Sequence, residues 1–325
     1  MLSTRAIFRQ TGGPEVIEWI TEDHPDPAAS EVTIEHGAVG LNYIDTYHRR
    51  GIYPVELPSG MGLEAAGRIV AVGKGVDGFA EGDRVATFGP LLGAYATHRN
   101  IGAEHLFRLP DSIDDRTAAA AIVKAFTAEF LAERCGKVEP GWPVLVHAAA
   151  GGTGLLLVQW LNHIGAEVIG TVSTEAKAEA ARAAGAHHVI FYKEEDTAAR
   201  TREITSGVGV RVTFDGIGRA TWETSLDATG TRGLIINYGN ADAPVGEVDM
   251  GVLAMKGSLY NTRPALFHYY EDPAERAAGA ARVWDMFDKG ALSVTIGQTY
   301  ALTDAAQAHR DLESGKTTGS TVLLP

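Results

Sequence analysis

The chain has 325 residues, enough for two domains of ordinary size, and its 45% hydrophobic and 21% charged residues exclude a wholly disordered or fibrous protein. Its 28 basic and 41 acidic residues leave a formal charge of −13, a far field that repels phosphodiester backbones and anionic lipid and disfavours both as principal partners. A single cysteine, Cys135, excludes an internal disulfide and a cysteine-based zinc cluster and suits a reducing, cytoplasmic setting.

In chain order, the opening MLSTRAIFRQTGGPE has no apolar run after its basic residues, so no secretory signal is expected. From Leu2 to about Leu109, short apolar stretches are punctuated by glycine: VTIEHGAVGLN, RIVAVGKGVDGF, GDRVATFG and AYATHRNI. Strands at such spacing predict a compact β-rich unit or barrel. Residues 140–166 hold no Asp, Glu, Lys or Arg, but glycines at 151, 152, 154 and 165 interrupt them. That reads as a buried strand, a turn and a helix ended by Gly165, not as a membrane span. EVIGTV, HHVIFY, RVTFDGIG and GLIINYGN then alternate with helical stretches such as EAKAEAARAAGA. The alternation predicts a doubly wound parallel sheet. AAGAARVWDMFDKGAL and DAAQAHRDLESGK return to helices, separated by TIGQTYAL.

Function is most legible in AAGGTG, residues 149–154. Ala149, Gly151 and Gly154 have the spacing of G-x-G-x-x-G with alanine first. Such a turn lets backbone amides approach a pyrophosphate at a helix N-terminus; the plainer alternative is a strand-to-helix connection with no ligand. The strand that follows ends not in an acidic residue but in Thr171, Ser173 and Thr174, with Lys177 a turn further on. Hydroxyls and an ammonium suit the 2′-phosphate of NADPH, although Glu175 lies among them and Lys177 alone reads equally as a solvated helix face. His147, His187 and His188 are read as strand-end residues without a metal or catalytic role, and Cys135 as structural.

With that turn in place, LNYIDTYHRRGIYP (41–54), GMGLEAAGRIVAVGKGV (60–76), GDRV (82–85) and AAAGGTG (148–154) resemble the quinone oxidoreductases of the medium-chain dehydrogenase/reductase superfamily, which includes zeta-crystallin. DGIG (215–218), YGN (238–240), GSLYNTRP (257–264) and the closing LESGKTTGS extend the resemblance over essentially the whole chain. It implies an α/β protein: a GroES-like β-rich catalytic domain from residues 1–125 and 265–325, and a Rossmann NADPH-binding domain from 126–264. It also implies a homodimer and a cofactor cleft between the domains.

The zinc enzymes of the superfamily carry ligands where this chain has Asn42, Leu63 before Glu64, and Val123. One carboxylate does not close a tetrahedral site, so no metal is expected. By resemblance, Asn42, Asp45 and Tyr47 lie beside the nicotinamide and Tyr53 flanks the substrate opening. The two tyrosines would offer flat faces and hydroxyls to a quinone, or else simply pack. Lys124 and Thr127 match the domain junction; Lys124 would stabilise negative charge on a substrate oxygen, or else form a surface ion pair. For the cofactor, the resemblance implies Ala150, Gly151, Gly152, Thr153 and Gly154 at the pyrophosphate. Ser173, Thr174, Lys177 and Tyr192 fall at the adenosine phosphate. Tyr238, Gly239 and Asn240 fall near the nicotinamide ribose, with Thr262 and Arg263 close by; Arg263 is alternatively a structural ion-pair partner. Departures are Thr153 for the usual valine, Gly216 for a serine, Phe130 for a tyrosine, and a basic residue displaced to Lys316.

The expected activity is metal-independent reduction of a quinone by NADPH. An enone or enoyl reductase on the same fold is the enzymatic alternative, and a cofactor-binding, crystallin-like or RNA-binding protein is the non-enzymatic one.

Overall fold

Alternating buried and exposed positions, with glycine at the breaks, give the first third of the chain the strands β1 (Leu2–Phe8), β2 (Glu18–Asp23), β3 (Glu31–Leu41), β4 (Ser59–Gly60), β5 (Glu64–Val72), β6 (Arg84–Phe88), β7 (His98–Gly102) and β8 (Leu106–Arg108). Between β3 and β4 lies α1 (Tyr43–Arg49). The computed structural model describes residues 1–89 and 91–325. Within AYATHRNI only the second half enters a ladder. Residues 94–97 bend outside any strand, with Ala96 in an isolated bridge to Arg5, Ala6 N–H donating to the Tyr95 carbonyl and Thr97 N–H to that of Thr4.

The following stretch switches to a longer period. Here α2 (Asp115–Glu129) continues into a wider π-type turn, Phe130–Cys135, before β9 (Pro143–Val146), α3 (Gly152–Ile164), β10 (Glu167–Val172), α4 (Glu175–Ala183), β11 (His188–Phe191), α5 (Thr197–Ile204), β12 (Val210–Asp215), α6 (Trp222–Ala228), β13 (Thr229–Asn237), α7 (Gly251–Met255) and β14 (Tyr260–Thr262). The six strands pair in parallel in the order β11–β10–β9–β12–β13–β14. In chain terms this is 3-2-1-4-5-6, the Rossmann order, which reverses between β9 and β12. The apolar runs are buried as a parallel sheet requires, with Leu145, Ile169 and Ile190 fully enclosed. Gly165 ends α3 at φ +88°, as its place in the sequence predicts.

After α8 (Leu266–Tyr269) and α9 (Pro273–Asp288), the chain forms β15 (Ile296–Ala301), α10 (Ala305–Glu313) and β16 (Ser320–Leu324). β16 pairs antiparallel with β3, completing a sheet ordered β15–β16–β3–β5–β6–β8, with β7 also on β3; a smaller sheet runs β2–β1–β4. The chain divides into two units, Met1–Val123 with Val294–Pro325, and Lys124–Ser293. Residues 265–293, expected with the first, therefore lie in the second. Packing accounts for this: Tyr270 and Trp284 sit 5.0 and 5.8 Å from the Phe126 ring, and Arg282 reaches Glu133. Among the described residues, no helix is long and apolar enough to cross a membrane.

Candidate active site

In the second unit the Gly-rich turn leaves β9 at the point where the strand order reverses, the usual ligand crevice of an open parallel sheet. Ala148 adopts φ +52°, and Gly151 N–H donates to its carbonyl, closing the turn. Gly151 caps α3 in an extended conformation, and the first-turn amides of Gly152, Thr153 and Gly154 have no carbonyl four residues back within the helix. Gly154 is required by contact: a Cβ there would lie 2.3 Å from the Ala148 carbonyl oxygen. Ala150 is buried beneath the turn.

Three side chains hold this turn. Ser225 Oγ donates to Asp215 Oδ2 at 2.7 Å and therefore accepts from His147 Nε2 at 3.1 Å. His147 Nδ1 faces the Thr171 hydroxyl at 3.4 Å, and that oxygen accepts from Ala148 N–H. Burial pushes His147 below the usual histidine range, so it stays neutral here. Asp215 also accepts from the Ile217 and Gly218 amides and from the Thr221 hydroxyl. The Gly216 departure follows from space: a Cβ there would meet the Tyr238 ring at 2.9 Å.

Across the carboxyl ends of the strands, Thr174 caps α4, its hydroxyl accepting from Lys177 N–H. Ser173 and Lys177 are half-buried; Thr174 and Tyr192 are exposed. Partial burial and the neighbouring Lys193 lower the Lys177 pKa, which places two ammonium groups together where β10 and β11 end. Glu175, the one acidic residue of this stretch, pairs with Arg182 at 2.6 Å. Tyr238 and Gly239 follow β13. The Asn240 amide is oriented to accept from Arg263 at 3.2 Å and donate to the Gly239 carbonyl, so Arg263 is tied to the residues expected near it. Thr262 closes β14 opposite Ile236. Lys124 (4% exposed) and the half-buried Thr127 lie one turn apart on α2. Phe130 stacks on Tyr269 at 4.5 Å.

In the first unit Asn42 caps α1, and Asp45 Oδ2 accepts from the Asn42 amide at 2.8 Å, one half of a capping box. Asn42 Nδ2 donates to Glu64 Oε1 at 2.7 Å while Val123 N–H donates to Glu64 Oε2 at 2.8 Å. Asn42 and Val123, two of the positions compared with zinc ligands, are thus both tied to Glu64, the residue after the third, Leu63. Tyr47 is only 5% exposed, with Tyr53 edge-on at 5.4 Å. Tyr53 remains half-buried. Lys316, expected among the cofactor-binding residues, is exposed in the first unit beside Asp311, whereas the other expected cofactor-binding residues, from Ala150 to Arg263, lie in the second. Among the described residues no three His, Cys, Asp or Glu side chains gather as a metal-ligand group.

Sequence spacing does not reveal Lys193, Glu64 as a bonding hub, Tyr95, which bonds Asp45, or His309, which bonds Tyr95 and Arg49. Only Lys193 carried a local signal, a base directly after Tyr192 at a strand end.

A family model described as alcohol dehydrogenase GroES-like domain matches residues 28–111, and one described as zinc-binding dehydrogenase matches residues 152–270. The chain is 44% identical to a quinone oxidoreductase of Pseudomonas aeruginosa and 43% identical to quinone oxidoreductase 1 of Escherichia coli, in both cases over 100% of each chain. It is 43% identical to a 2-haloacrylate reductase of Burkholderia sp over 98% of each. The structure of E. coli quinone oxidoreductase complexed with NADPH superposes with a TM-score of 0.97 at 44% identity, covering 99% of this chain and 100% of that one. Fold and site therefore define an oxidoreductase of the medium-chain dehydrogenase/reductase superfamily, with GroES-like and Rossmann units. Within it, the chain belongs to the quinone oxidoreductase family.

Proposed function

We propose that the chain oxidises NADPH and passes the reducing equivalents to a quinone without a metal. The observation that carries this reading is the meeting, at one end of the parallel sheet, of the closed Gly-rich turn with the ammonium pair of Lys177 and Lys193. The turn offers first-turn amides and helix dipole to a pyrophosphate, and the lysines with Ser173 suit a 2′-phosphate. Thr174 sets the start of that helix, Tyr192 offers an exposed ring, and Tyr238, Gly239, Asn240, Thr262 and Arg263 attend the ribose. NADPH, when bound, supplies the hydride.

Asn42 and Asp45 hold the start of α1, and Tyr47 and Tyr53 then orient the acceptor through hydroxyl and ring edge. Lys124 stabilises negative charge arising on the acceptor oxygen, with Thr127 beside it. A quinone is already a strong electrophile, so positioning supplies most of what is needed. An amide, an engaged carboxylate and a valine make a poor tetrahedral donor set, in keeping with chemistry that uses no zinc. The exposed edge strand β14, with Tyr260 64% exposed, suits pairing with a second copy as a homodimer. A cytoplasmic location accords with the free Cys135.

The test follows NADPH and NADH absorbance with an ortho- or para-quinone and a chelator present. Chelator-resistant loss of NADPH, far faster than of NADH, is expected; no loss with either cofactor sinks quinone reduction for those acceptors. The relative named 2-haloacrylate reductase supports a second reading, addition of hydride to an activated double bond. Turnover of such an alkene, with a pH dependence abolished by Tyr47→Phe or Tyr53→Phe, would favour it.

Gly154→Val tests the turn. With backbone 2.3 Å from the added Cβ, α3 must shift off β9. The NADPH dissociation constant should rise roughly tenfold or more in a fluorescence titration, the scale set by losing one or two charge-assisted bonds. Affinity within twofold of wild type would remove the turn from the site.

A further inference from the structure

Two buried charged residues, Asp45 and Arg49, lie four positions apart on α1, 0% and 1% exposed. A chain of side chains from other parts of the first unit joins them. Arg49 donates through Nε to the Gly12 carbonyl at 3.1 Å, through one terminal nitrogen to both Glu313 oxygens at 2.7 and 2.9 Å, and through the other to His309 Nδ1 at 2.9 Å. A guanidinium only donates, so His309 Nδ1 accepts and its proton sits on Nε2. That N–H points to Tyr95 Oη at 3.0 Å, and the Tyr95 hydroxyl donates onward to Asp45 Oδ2 at 3.2 Å. From Arg49 through His309 and Tyr95 to Asp45 the donors thus all run in one direction. Burial, then the adjacent Arg49, lower the His309 pKa to about 3, and burial raises Tyr95 well above the usual phenol range, so both remain neutral in the form the series requires.

The result is a buckle over α1. One end grips Asp45, the residue that caps the Asn42 amide; the other grips Arg49. α10 supplies His309 and Glu313, and also accepts the Tyr43 hydroxyl at the Leu312 carbonyl, 3.0 Å away. Both the rotation of α1 and its axial register are therefore set from α10, more than 260 residues later in the sequence. The chain of bonds is not a proton path to the surface. Arg49 lies between His309 and the partly exposed Glu313, and a guanidinium does not surrender its proton.

We infer that His309, acting through Tyr95 and Asp45, is a positioning residue for the reductase reaction, holding Asn42 and Tyr47 in register without touching substrate or cofactor. This rests on the proposed reading in which Asn42 and Asp45 hold the start of α1 so that Tyr47 orients the acceptor.

The experiment compares wild type, Tyr95→Phe, His309→Leu and His309→Gln in NADPH-dependent quinone reduction. Rates are normalised to folded protein by circular dichroism, with NADPH affinity measured separately. Tyr95→Phe cuts the link to Asp45 alone, and His309→Leu cuts both links. Each is expected to lower kcat about tenfold, with KM for the quinone within about threefold and NADPH affinity within about twofold, as expected from losing one buried hydrogen bond. His309→Gln retains one acceptor and one donor and should recover most of kcat. Unchanged kcat per folded molecule in Tyr95→Phe and His309→Leu overturns the inference alone, leaving the buckle purely structural. A wild type that reduces no quinone overturns the reading of function and the inference with it.

Discussion

Acidification from pH 7 to pH 5 is expected to remove about 4 kcal/mol of folding stability through His36 and His309 alone. Both are buried, at 4% and 0% exposure, and burial lowers each to about pH 3 from an ordinary value of 6.5. His36 Nδ1 lies 2.8 Å from the Ala96 carbonyl and Nε2 has no hydrogen-bond partner, and burial, with Arg99 and His98 nearby, opposes a second proton more than the backbone carbonyls favour it. His309 would gain charge against Arg49. In this window the unfolded chain takes up protons that the folded chain refuses. The stabilisation is complete above about pH 6.5 and is lost progressively as pH falls toward 3. Each histidine contributes about 1.4 kcal/mol per pH unit once well below 6.5, hence about 2 kcal/mol by pH 5. His48, lowered to about 4, is still mostly neutral at pH 5 and adds an increment of the same sign and similar size, and burial of His98 and His147 acts in the same direction. Glu129, raised by burial, opposes them near its own titration, whereas Asp83, Asp114 and Asp311 are lowered and act only at more acid pH. Urea midpoints between pH 5 and 7 check this. Against a total stability of about 5–15 kcal/mol the loss is large, and a flat profile would mean that these histidines protonate in the folded state.

The contrast between those histidines and the Gly-rich turn indicates which features a sequence exposes. The turn, the strand-helix alternation and the Gly165 stop are local: each is decided by residues within a few positions, so spacing and residue type suffice. His309 and Tyr95 meet across 214 residues, and Arg49 and Glu313 across 264. No periodicity encodes such a meeting, because it depends on β16 returning to β3. His147 was legible as a strand-end residue, yet its bonding depends on β9, β10 and α6 coming together. The domain boundary is a similar case. α9 has a buried face that would suit either unit, and its assignment turns on Phe126, Tyr270 and Trp284 packing together. Tyr47 shows the converse limit, since a motif locates the residue and only the fold reveals how deeply it is buried.

Replacing Lys177 and Lys193 together by alanine should raise KM for NADPH by about 100-fold while changing KM for NADH by less than about threefold. The two cofactors differ only in the 2′-phosphate, so a selective loss isolates the group read by the lysines. The pair is held in place by local structure: Lys177 lies in the first turn of α4, whose start is fixed by the Thr174 cap, and Lys193 follows the end of β11. Partial burial and then repulsion from Lys193 lower the Lys177 pKa, and a dianionic phosphate placed between the two lysines would offset the repulsion. Glu175 does not cancel the field, because Arg182 pairs with it. Each ammonium contributes a charge-assisted bond of about 1.5–3 kcal/mol, and the exposed Lys193 should lie at the low end and be the more salt-sensitive. Lys177→Glu should exceed the alanine effect, since it sets a carboxylate against the phosphate. Steady-state kinetics with both cofactors at two ionic strengths give the answer. Equal losses for NADPH and NADH would place the lysines outside the phosphate site and return the preference for NADPH to Ser173 and Tyr192.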